Sequence, residues 1–581
     1  MDRRRIVALL GAGVLAAACG VTPTSPTPPA ATPAPAPVAS ASPSPTAAPI
    51  PTPNPSPTPR ALRPGEDDWG RVPFANGLRD RYGSTAINAM AEAGGTLVAV
   101  GRGPTGAAAW ISTDLLTWRR VTGDPSIGGD QMSDVVAGGP GFVAVGSSAE
   151  GAIASVSSDG FHWQAIALPR GAHAWVGHVV LQGSTFVAFG GEEAAEEEQV
   201  RLRVWTSADG VSWEPLAAPA ALDFPQSWGD TVGVGPPGIV YVAEREVERG
   251  EDGLSVVPLG FRLEGTTTWR PSTFSGPDGY VTGITWHEDR FVAVGGDVGY
   301  SSPVAWTSPD GLTWQSVDVV IAADVDSPPP GAFASIVATA DGRLLASTGY
   351  ENDSRLWISD DGAAWSAVPW FGAEGTRWLN GMASFGDRLV AFGGAEDAAL
   401  VSDGYDAGEE LGAAFLSWGT MTSAAIWTDP SPGLAEPAPA PPRCPEAKPT
   451  LLEVISLSPA DRMRCFGRRS ITFLAYLDRY QFGYEGPVPR GPPWLISADD
   501  GTGTGNELWA RPLAVDHPRP VVSLSIHVDP ASKVGRRLPD AGWVWLTGRF
   551  DHPKAKSCQA AVRAQCRQAF VVTNVRKAAA P

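Results

Sequence analysis

The sequence predicts an all-β protein: a seven-bladed β-propeller followed by a small disulfide-linked β-barrel. Composition is the first reason, because 67 glycines, 55 prolines and 22 tryptophans in 581 residues favour short strands and tight turns over helices. The second reason is a recurring pattern, Ser-x-Asp-Gly-x-x-Trp, which is cleanest at Ser207–Trp213 and Ser308–Trp314. The third is a set of β-rich runs such as Phe291–Gly295. Together they give four strand-like segments in each unit of roughly 45 to 60 residues, as propeller blades require.

Seven such units follow one another along the chain. Their first strands are predicted to begin near Ser84, Gln131, Ala174, Trp228, Tyr280, Phe333 and Trp378. The seventh unit reaches Ile426 and then runs into prolines without a fourth strand. The segment Asp68–Val72 matches the fourth strands of other units. We therefore expect it to complete the last blade and so remove two free sheet edges.

The repeated turn has a chemical explanation. Its serine hydroxyl and aspartate carboxylate accept backbone N–H groups, its glycine permits a positive φ, and its tryptophan packs between blades. Imperfect copies end at Trp118, Trp163, Trp269 and Trp365. The pattern resembles the Asp-box, or BNR, repeat of sialidase-like propellers, although the Asp-box is usually one residue longer. In that family the box is a structural turn away from the active site, which implies that the repeated aspartates are scaffold.

The resemblance makes sialidase activity a hypothesis, and that activity requires a specific set of residues. Sialidases hold the substrate carboxylate with three arginines, the first in a Phe/Tyr-Arg-Ile-Pro motif, and use a tyrosine nucleophile with a glutamate partner and an aspartate acid. The early region offers Arg71, Arg79 and Arg81 without that motif, and Tyr405 has no neighbouring pattern. No catalytic residue is carried over. An extracellular glycoside hydrolase of sialidase type stays as the alternative function.

The N-terminus predicts export and lipid anchoring. Residues 1–19 comprise a basic start at Arg3–Arg5, an apolar stretch and a final cysteine, as in a signal peptide. Leu15–Gly20 resembles a bacterial lipobox, in which the cysteine, here Cys19, receives the lipid. Ordinary signal-peptidase cleavage is the alternative, and both Sec and twin-arginine export are open. The expected location is the bacterial cell surface, with the chain held to the membrane through Cys19.

Four segments follow the signal peptide. Residues 20–65 are rich in Pro, Ala, Ser and Thr and predict a disordered stalk. Residues 66–432 form the predicted propeller, and residues 433–443 a linker. Residues 444–578 predict a small β-barrel, OB-like by preference, with a β-sandwich as the alternative. Its expected strands are Leu451–Leu457, Ile471–Leu477, Trp494–Ala498, Pro520–Val528, Trp543–Gly548 and Ala569–Val575, with a short helix at Ala560–Arg567.

Four cysteines lie in this last region: Cys444, Cys465, Cys558 and Cys566. An even number in an exported domain predicts two disulfides. Three pairings exist, and the local pairs Cys444–Cys465 and Cys558–Cys566 are favoured over the other two. A metal site is disfavoured because the chain has no CxxC motif and no histidine near the first pair.

Charge differs strongly between the two folded regions. Residues 444–581 hold 19 Lys and Arg against 12 Asp and Glu, which gives this region a net charge of +7. Because the whole chain has a net charge of −19, residues 1–443 have a net charge of −26. A basic domain beside an acidic propeller either docks on it or stays separately solvated. Nucleic acid is not expected as a partner, because phosphates would be repelled by an acidic, exported propeller.

Aligning the first strands predicts two rings of side chains on the loop face of the propeller. The first ring is mostly aromatic and consists of Ala86, Met132, Trp175, Trp228, Tyr280, Phe333 and Trp378. The second lies two residues further on and consists of Asn88, Asp134, Gly177, Asp230, Thr282, Ser335 and Asn380. Aromatic faces beside hydrogen-bonding groups suit a glycan or a peptide. The candidate contacts are Trp175, Trp228, Tyr280, Phe333, Trp378, Asn88, Asp134, Asp230 and Asn380, and packing between blades is the alternative.

The loops after the second strands are acidic. Their carboxylates include Glu192, Glu193, Glu196–Glu198, Glu244, Glu246, Glu248, Glu351 and Glu396. Such clusters suggest a cation-dependent adhesin as a further alternative function, although a solvated charged face is the favoured explanation for them. No GxSxG, HExxH or phosphate-loop motif occurs, so no cofactor or metal is expected. The favoured function is recognition without catalysis, with a glycan, cell-wall polymer or protein bound on the loop face.

Overall fold

The protein is a seven-bladed β-propeller joined to a closed five-stranded β-barrel. The computed structural model describes residues 69–121, 127–169, 172–193, 199–225, 230–248, 254–299, 301–321, 331–348, 354–368, 377–385, 388–408, 413–429, 431–437, 443–445, 448–482, 505–514, 522–528, 533–534, 538–539, 541–557 and 563–581. The predicted signal peptide, the predicted stalk and Cys19 lie outside this range. Among the described residues, no helix combines the length and the apolar character needed to cross a membrane.

The first four blades are built from antiparallel strands. A short strand, β1 (Gly70–Arg71), and a 3₁₀ turn, Phe74–Asn76, come first. Blade one is β2 (Ala86–Ala93), β3 (Thr96–Gly103), β4 (Gly106–Ser112) and β5 (Arg119–Arg120), and blade two is β6 (Gln131–Gly138), β7 (Gly141–Ser148), β8 (Gly151–Ser157) and β9 (Gln164–Ala167). Blade three is β10 (Ala174–Gln182), β11 (Thr185–Glu193), β12 (Gln199–Ser207) and β13 (Glu214–Leu216), with a 3₁₀ turn, Ala220–Leu222, and β14 (Asp223–Pro225) added. Blade four is β15 (Asp230–Gly235), β16 (Gly238–Glu248), β17 (Leu254–Glu264) and β18 (Thr268–Pro271).

Blades five and six each gain a short fifth strand. Blade five is β20 (Gly279–His287), β21 (Arg290–Asp297), β22 (Pro303–Ser308) and β23 (Thr313–Val317), with β19 (Thr273–Phe274) parallel to β23. Blade six is β25 (Phe333–Ala338), β26 (Leu344–Thr348), β27 (Arg355–Ser359) and β28 (Ala364–Ala367), with β24 (Val320–Ile321) parallel to β28. Blade seven holds β29 (Arg377–Phe385), β30 (Arg388–Gly408) and β31 (Ala413–Asp429).

The first strand of the chain completes blade seven. Strand β1 pairs antiparallel with β31, with Gly70 opposite Thr428 and Arg71 opposite Trp427. The sheet order is therefore β1-β31-β30-β29, which confirms the closure predicted from Asp68–Val72. Closure pairs the otherwise free outer edge of β31 and holds the two ends of the propeller together.

The repeated Ser-x-Asp-Gly-x-x-Trp pattern forms the turn between the third and fourth strands. At Ser207–Trp213, the backbone N–H of Gly210 donates to Ser207 Oγ at 2.9 Å, and the N–H of Ser212 donates to Asp209 Oδ1 at 2.7 Å. The indole Nε1 of Trp213 donates to the carbonyl of Gly210 at 2.8 Å. Gly210 has a φ of 74°. The aspartates that head these turns are thus occupied by the scaffold.

Blades one and seven depart from this turn in different ways. In blade one, Leu115 stands at the glycine position with a φ of 66° and packs into the apolar core shared with blade seven. Blade seven carries Val401–Gly404, which has the aspartate and glycine of the pattern without its tryptophan and so resembles an incomplete turn. The structure places Asp403 within strand β30, opposite Trp418. This segment therefore belongs to a long hairpin between the second and third strands of blade seven, and its fourth strand, β1, comes from the start of the chain.

A β-bulge interrupts the inner strand of six blades. In blade three, Val176 pairs with Gly190 and His178 with Phe189, so Gly177 is the inserted residue. A Cβ on Gly190 would overlap the carbonyl oxygen of Trp175. The glycine that ends each Val-Ala-Val-Gly-like run therefore makes room for the bulged backbone. The same register shift occurs in blades one, two, five, six and seven.

The C-terminal barrel closes with both antiparallel and parallel pairs. Its strands are β32 (Ile471–Phe482), β33 (Gly505–Arg511), β34 (Leu524–Val528), β35 (Ala541–Arg549) and β36 (Phe570–Lys577). They are ordered β32-β33-β34-β36-β35, with β34 parallel to β36. This five-stranded closed arrangement agrees with the predicted OB-like barrel. Trp494–Ala498, one of the predicted strands, lies outside the described residues.

Helices stand beside the barrel, and one replaces a predicted strand. Helix α1 is Leu451–Ile455, α2 is Pro459–Cys465 and α3 is Arg563–Gln568, with a 3₁₀ turn at Pro553–Ser557. The strand predicted at Leu451–Leu457 is wrong because Thr450 and Glu453 form a capping box, which starts a helix there. The predicted disulfide Cys444–Cys465 is present. Cys558 and the side chain of Cys566 lie outside what the structure describes.

Propeller and barrel pack together. Leu400 and Met421, on the long hairpin of blade seven, belong to the same apolar core as barrel residues such as Phe473. The backbone N–H of Val522 donates to the carbonyl of Tyr82 at 3.0 Å. Docking, which charge alone left open, is therefore a feature of the fold.

Candidate functional site

Polar side chains on the inner strands link neighbouring blades around the channel. Asn88 Nδ2 donates to the carbonyl of Met132 in blade two at 2.7 Å. Asn380 Nδ2 donates to the carbonyl of Ile87 in blade one at 2.8 Å. We call this set the inter-blade belt; its further members are Asp134, His178, Asp230 and Thr282. Most of the predicted polar ring therefore holds blades together, which supports the packing interpretation for Asn88 and Asn380.

The belt is charged where blades three and four meet. His178 Nε2 lies 3.5 Å from Asp230 Oδ1 and 3.3 Å from the carbonyl oxygen of Asp230. Tyr241 donates its hydroxyl to Asp230 Oδ2 at 3.1 Å. The side chains of His178 and Asp230 keep 32% and 29% of their surface exposed. Because the inner strands line the channel, a ligand in the channel can reach both groups.

Mutual attraction keeps His178 and Asp230 ionised. Burial alone would lower the pKa of His178, but the hydrogen bond and charge of Asp230, helped by Asp134, raise it to about 9. Burial alone would raise the pKa of Asp230, yet the hydrogen bond and charge of His178 outweigh burial and lower it. At neutral pH the pair is an imidazolium beside a carboxylate.

Two further carboxyl groups near this pair have raised pKa values, in contrast to the lowered pKa of Asp230. Burial, with the negative charge of Asp230 added, raises the pKa of Glu244 to about 7. Burial also raises the pKa of Asp134, although His178 opposes that effect. The acid–base cluster, by which we mean Asp134, His178, Asp230, Tyr241 and Glu244, thus contains one carboxylate that stays charged and one carboxyl that is half protonated near neutrality.

Blade four can build this cluster because it breaks the repeat. Tyr241 occupies the second-strand position that is alanine in all six other blades, namely Ala99, Ala144, Ala188, Ala293, Ala346 and Ala391. Ala243 and Glu244 replace a glycine and the residue after it, and the bulge is absent, since Asp230 to Gly235 pair in continuous register. Phe189 stacks on the Tyr241 ring at a centroid distance of 5.6 Å. The sequence signal for this cluster was therefore Tyr241, a large polar side chain at a position that is alanine in the other blades. We call that position the alanine column.

Two tryptophans of the predicted aromatic ring stand on glycines at the mouth of the channel. The ring of Trp175 lies against Gly191, and that of Trp378 against Gly394, where an added Cβ would overlap each indole. Trp175 is 37% exposed, whereas most other propeller tryptophans that the structure describes are buried. Tyr280 is half-buried and donates to the carbonyl of Val298 at 3.4 Å.

Phe333 does not belong to this mouth. It pairs with Thr348 at the level of the bulge, where Val176 and Leu379 stand in their blades, and it is 0% exposed. Met132 is shifted in the same way and is fully buried. The alignment of first strands was wrong by one residue in blades two and six, because Met132 and Phe333 immediately precede the bulged residue, whereas Trp175 and Trp378 stand one residue further from it. Trp228 lies outside the described residues.

Trp175 and Glu244 stand at the same height in adjacent blades. Trp175 pairs with Gly191, and Glu244 is the residue of blade four that corresponds to Gly191. Asp230 pairs with Ala243, one step deeper in the channel. Where blades three and four meet, Trp175 and the carboxyl group of Glu244 therefore lie at one level, and Asp230, which pairs with His178, lies one step deeper in the channel.

The acidic loops show no cation site among the residues that the structure describes. No group of three or more His, Cys, Asp or Glu side chains there has an arrangement that could hold a metal ion. Glu192 pairs with Arg203, and Asp397 is held by Arg79 through two hydrogen bonds of 2.5 and 2.8 Å. Several predicted acidic positions, including Glu196–Glu198, lie outside the described ranges.

Comparisons with known proteins give distant similarity only. No protein-family model and no curated protein matches the chain. Among solved structures, an alpha-L-arabinanase of Penicillium chrysogenum is similar at 12% identity, covering 50% of this chain and 96% of that one, with a TM-score of 0.33. The β-propeller domain of the trilobed protease of Pyrococcus furiosus has 10% identity, coverage of 53% and 89%, and a TM-score of 0.34.

A third similar structure is the sialidase of Trypanosoma rangeli. It has 12% identity, covers 62% of this chain and 57% of that one, and has a TM-score of 0.31. Such low values carry no argument about activity. The propeller architecture follows from the seven sheets and their closure, and the chemistry has to be argued from the acid–base cluster and the mouth tryptophans.

Proposed function

We propose that the protein recognises a glycan at the mouth of the propeller channel. The observation that carries this proposal is Trp175, an exposed indole held flat against Gly191 beside the acid–base cluster. Sugar rings offer apolar faces for stacking on an indole and hydroxyl groups for charged acceptors and donors. His178 and Asp230 supply a cationic donor and an anionic acceptor just below the indole.

The environment of Trp175 supports recognition over packing. A tryptophan that served only the core would be covered, as Trp163 and Trp205 are, with 1% of their surface exposed. Trp175 instead keeps 37% of its surface exposed while its ring lies against Gly191. Trp378 repeats this seat on Gly394 in blade seven. Two separated stacking positions favour an extended glycan.

The test is binding of the full chain to an array of neutral glycans and cell-wall polymers. Trp175→Ala is expected to weaken binding about tenfold or more, because it removes a stacking face at the centre of the site. Val211→Ala is the matched control, since Val211 is 40% exposed on the opposite, turn-bearing end of the propeller. Equal binding by wild type and Trp175→Ala would refute the proposal.

Hydrolysis of the bound glycan is a second candidate, favoured by one observation. Asp230 has a lowered pKa, whereas Glu244 has a pKa raised to about 7, and carboxyl groups set apart in this way can act as base or nucleophile and as acid. Glu244 would protonate the departing sugar oxygen, and Asp230 would take a proton from the water that attacks the anomeric carbon, so that the glycosidic bond breaks as the new carbon–oxygen bond forms.

A release assay on any glycan that binds separates recognition from hydrolysis. If the chain is a hydrolase, Glu244→Gln should abolish release of reducing sugar while binding persists, and activity of the wild type should fall as pH rises above about 7 because Glu244 loses its proton. If the wild type binds a glycan but releases no reducing sugar from it, the result supports recognition and argues against hydrolysis of that glycan.

We further propose that the exported chain is anchored by lipid at Cys19, with residues 20–65 as a stalk. The support is the N-terminal sequence pattern. Cys19→Ala should move the protein from the membrane fraction into the medium. Retention of that variant in the membrane fraction would argue against the anchor.

A further inference from the structure

We propose that the C-terminal barrel carries a second, independent binding surface that takes an anionic polysaccharide. This surface, the barrel platform, consists of the outward side chains on β32, β35 and β36. It is separate from the channel mouth and does not depend on the function proposed for the propeller. Its centre is Trp545, which is 38% exposed.

Strand alternation turns two tryptophans of β35 outward. Val544 and Leu546 are fully buried and point into the barrel core. Trp543 and Trp545 alternate with them and therefore point to the outside. An outward tryptophan adds little to the barrel core, because that core is already formed by the inward set. Its exposure needs another explanation.

The neighbouring strands complete a flat surface around these indoles. Trp545 lies directly opposite Leu474 on β32 and Arg576 on β36. Trp543 lies opposite Tyr476, and their rings meet edge to face at a centroid distance of 5.7 Å. Cross-strand partners share one face of a sheet, so these side chains form two adjacent rows.

The outward positions around the two tryptophans are aromatic, aliphatic, neutral polar or basic. By pairing they are Thr472, Leu474, Tyr476, Trp543, Trp545, Thr547, Asn574 and Arg576. None of the eight is acidic, and the Thr472 and Thr547 hydroxyls lie 2.8 Å apart. Arg576 is exposed, whereas the adjacent Lys577 lies opposite the inward residue Val544 and so belongs to the other face. The platform thus presents indole faces, neutral hydrogen-bonding groups and one cationic side chain.

This combination fits an anionic polysaccharide better than a folded protein partner. Sugar rings stack on flat indoles, and the guanidinium of Arg576 can bind a carboxylate or sulfate through two parallel hydrogen bonds. The barrel region has a balance of +7 within a chain of −19, so an anionic polymer is attracted to the barrel and repelled by the rest of the molecule. Charge complementarity therefore selects both the ligand and the domain.

The experiment compares three polymers on the full chain at low salt. Heparin is the anionic polysaccharide, dextran the neutral one and poly-L-glutamate the acidic polypeptide, each titrated by calorimetry. Heparin should bind, and its affinity should fall as salt rises; dextran and poly-L-glutamate should bind at least tenfold more weakly. Trp545→Ala and Arg576→Gln should each weaken heparin binding about tenfold, whereas Val211→Ala should not change it.

Several results would overturn the proposal. These are no binding of heparin, equal affinity for dextran, equal affinity for poly-L-glutamate, or unchanged affinity in Trp545→Ala. Melting temperatures of the variants establish that the barrel is folded, and Arg576→Gln, an exposed substitution, tests the platform should Trp545→Ala unfold it. The neutral glycans that test the channel mouth are measured separately, so that failure of one site does not decide the other.

Discussion

Tyr241 shows how a single residue can change a repeat into a site. In the alanine column of the second strands, a small side chain lets blades approach closely, and those alanines are buried. Tyr241 fills that space with a ring on Phe189 and carries its hydroxyl to Asp230. Asp230 in turn holds His178 from the neighbouring blade. The ion pair is thus positioned by a residue that departs from the repeat, as functional positions often do.

Because His178 is charged in the folded chain, the stability of the protein should fall at alkaline pH, where this charge is lost. Its pKa is about 9 in the folded chain, mainly because Asp230 outweighs the effect of burial, against about 6.5 when unfolded. A raised pKa contributes stability that is fully present below about pH 6.5 and is lost as pH rises through 9. We expect the melting temperature of the wild type to fall over that range, and His178→Gln to remove part of the fall.

His162→Gln is the control for this experiment. His162 is 66% exposed on the surface and pairs with Asp159 in a turn. In His162→Gln, the melting temperature should fall between pH 6.5 and 9 as steeply as it does in the wild type. If His178→Gln and the wild type show the same slope between pH 6.5 and 9, the ion pair does not contribute to stability in the way described.

At the scale of elements, the inner-strand bulges of five blades have a glycine opposite them, whereas blade six has Thr348 there. Gly190→Ala would place a Cβ against the carbonyl oxygen of Trp175, so backbone must move. We expect a loss of about 1–3 kcal/mol in unfolding free energy, typical of overpacking. Gly177→Ala is the matched control in the same bulge, because its Cβ would meet nothing nearer than the Phe189 oxygen at 3.9 Å. Denaturant titration measures both.

The comparison between these two glycines also tests the seat of Trp175. Gly190→Ala should weaken glycan binding along with stability, since the carbonyl that must move belongs to Trp175 itself. Similar stability of the two variants would mean that the bulge tolerates a side chain, and the explanation for the recurring glycine would be wrong.

Elements were predictable from the sequence where periodicity and turn chemistry agree. The seven blades, the turns such as Ser207–Trp213 and the strand Gly70–Arg71 all follow from repeated patterns. Positions within the inner strands were less predictable, because the sequence does not mark which residue is bulged. Phe333 directly precedes the bulged residue, one place nearer to it than Trp175 and Trp378, and was misplaced for that reason. The helix Leu451–Ile455 was missed because a short apolar run suits a strand as well, and only its capping box distinguishes the two.

For the molecule as a whole, the closing strand should matter more than its two residues suggest. A chain beginning at Trp69 keeps β1, whereas one beginning at Pro73 lacks it. The second chain loses Trp69 and Val72, which are both buried, and leaves the edge of β31 unpaired. Burial of two large apolar side chains is worth about 3–6 kcal/mol. We expect a melting temperature lower by about 5 °C or more, and self-association through the free edge.

Scanning calorimetry and sedimentation of these two chains check that expectation. Equal melting temperatures, with both chains monomeric, would show that the propeller does not need its closing strand. Residues 1–68 are missing from both chains, so the comparison isolates four residues.

Contact between propeller and barrel could not be predicted from charge. The opposite charges of the two regions were compatible with docking and with separation. The contact is made instead by apolar residues, Leu400 and Met421, on a hairpin whose sequence resembled an incomplete turn. The pairing of Arg79 with Asp397 on the same hairpin joins residues 318 positions apart, which no local pattern indicates.

Ring closure also sets the order in which the protein can be made. Thr428 follows Gly70 by 358 residues, and a ribosome adding 5–20 residues per second needs roughly 20 to 70 s to supply that partner. Joining ends so far apart costs about 5 kcal/mol of chain entropy before any pairing is gained. Six blades and part of the seventh therefore assemble first, around a ring that is still open. The earliest strand synthesised is among the last to find its place.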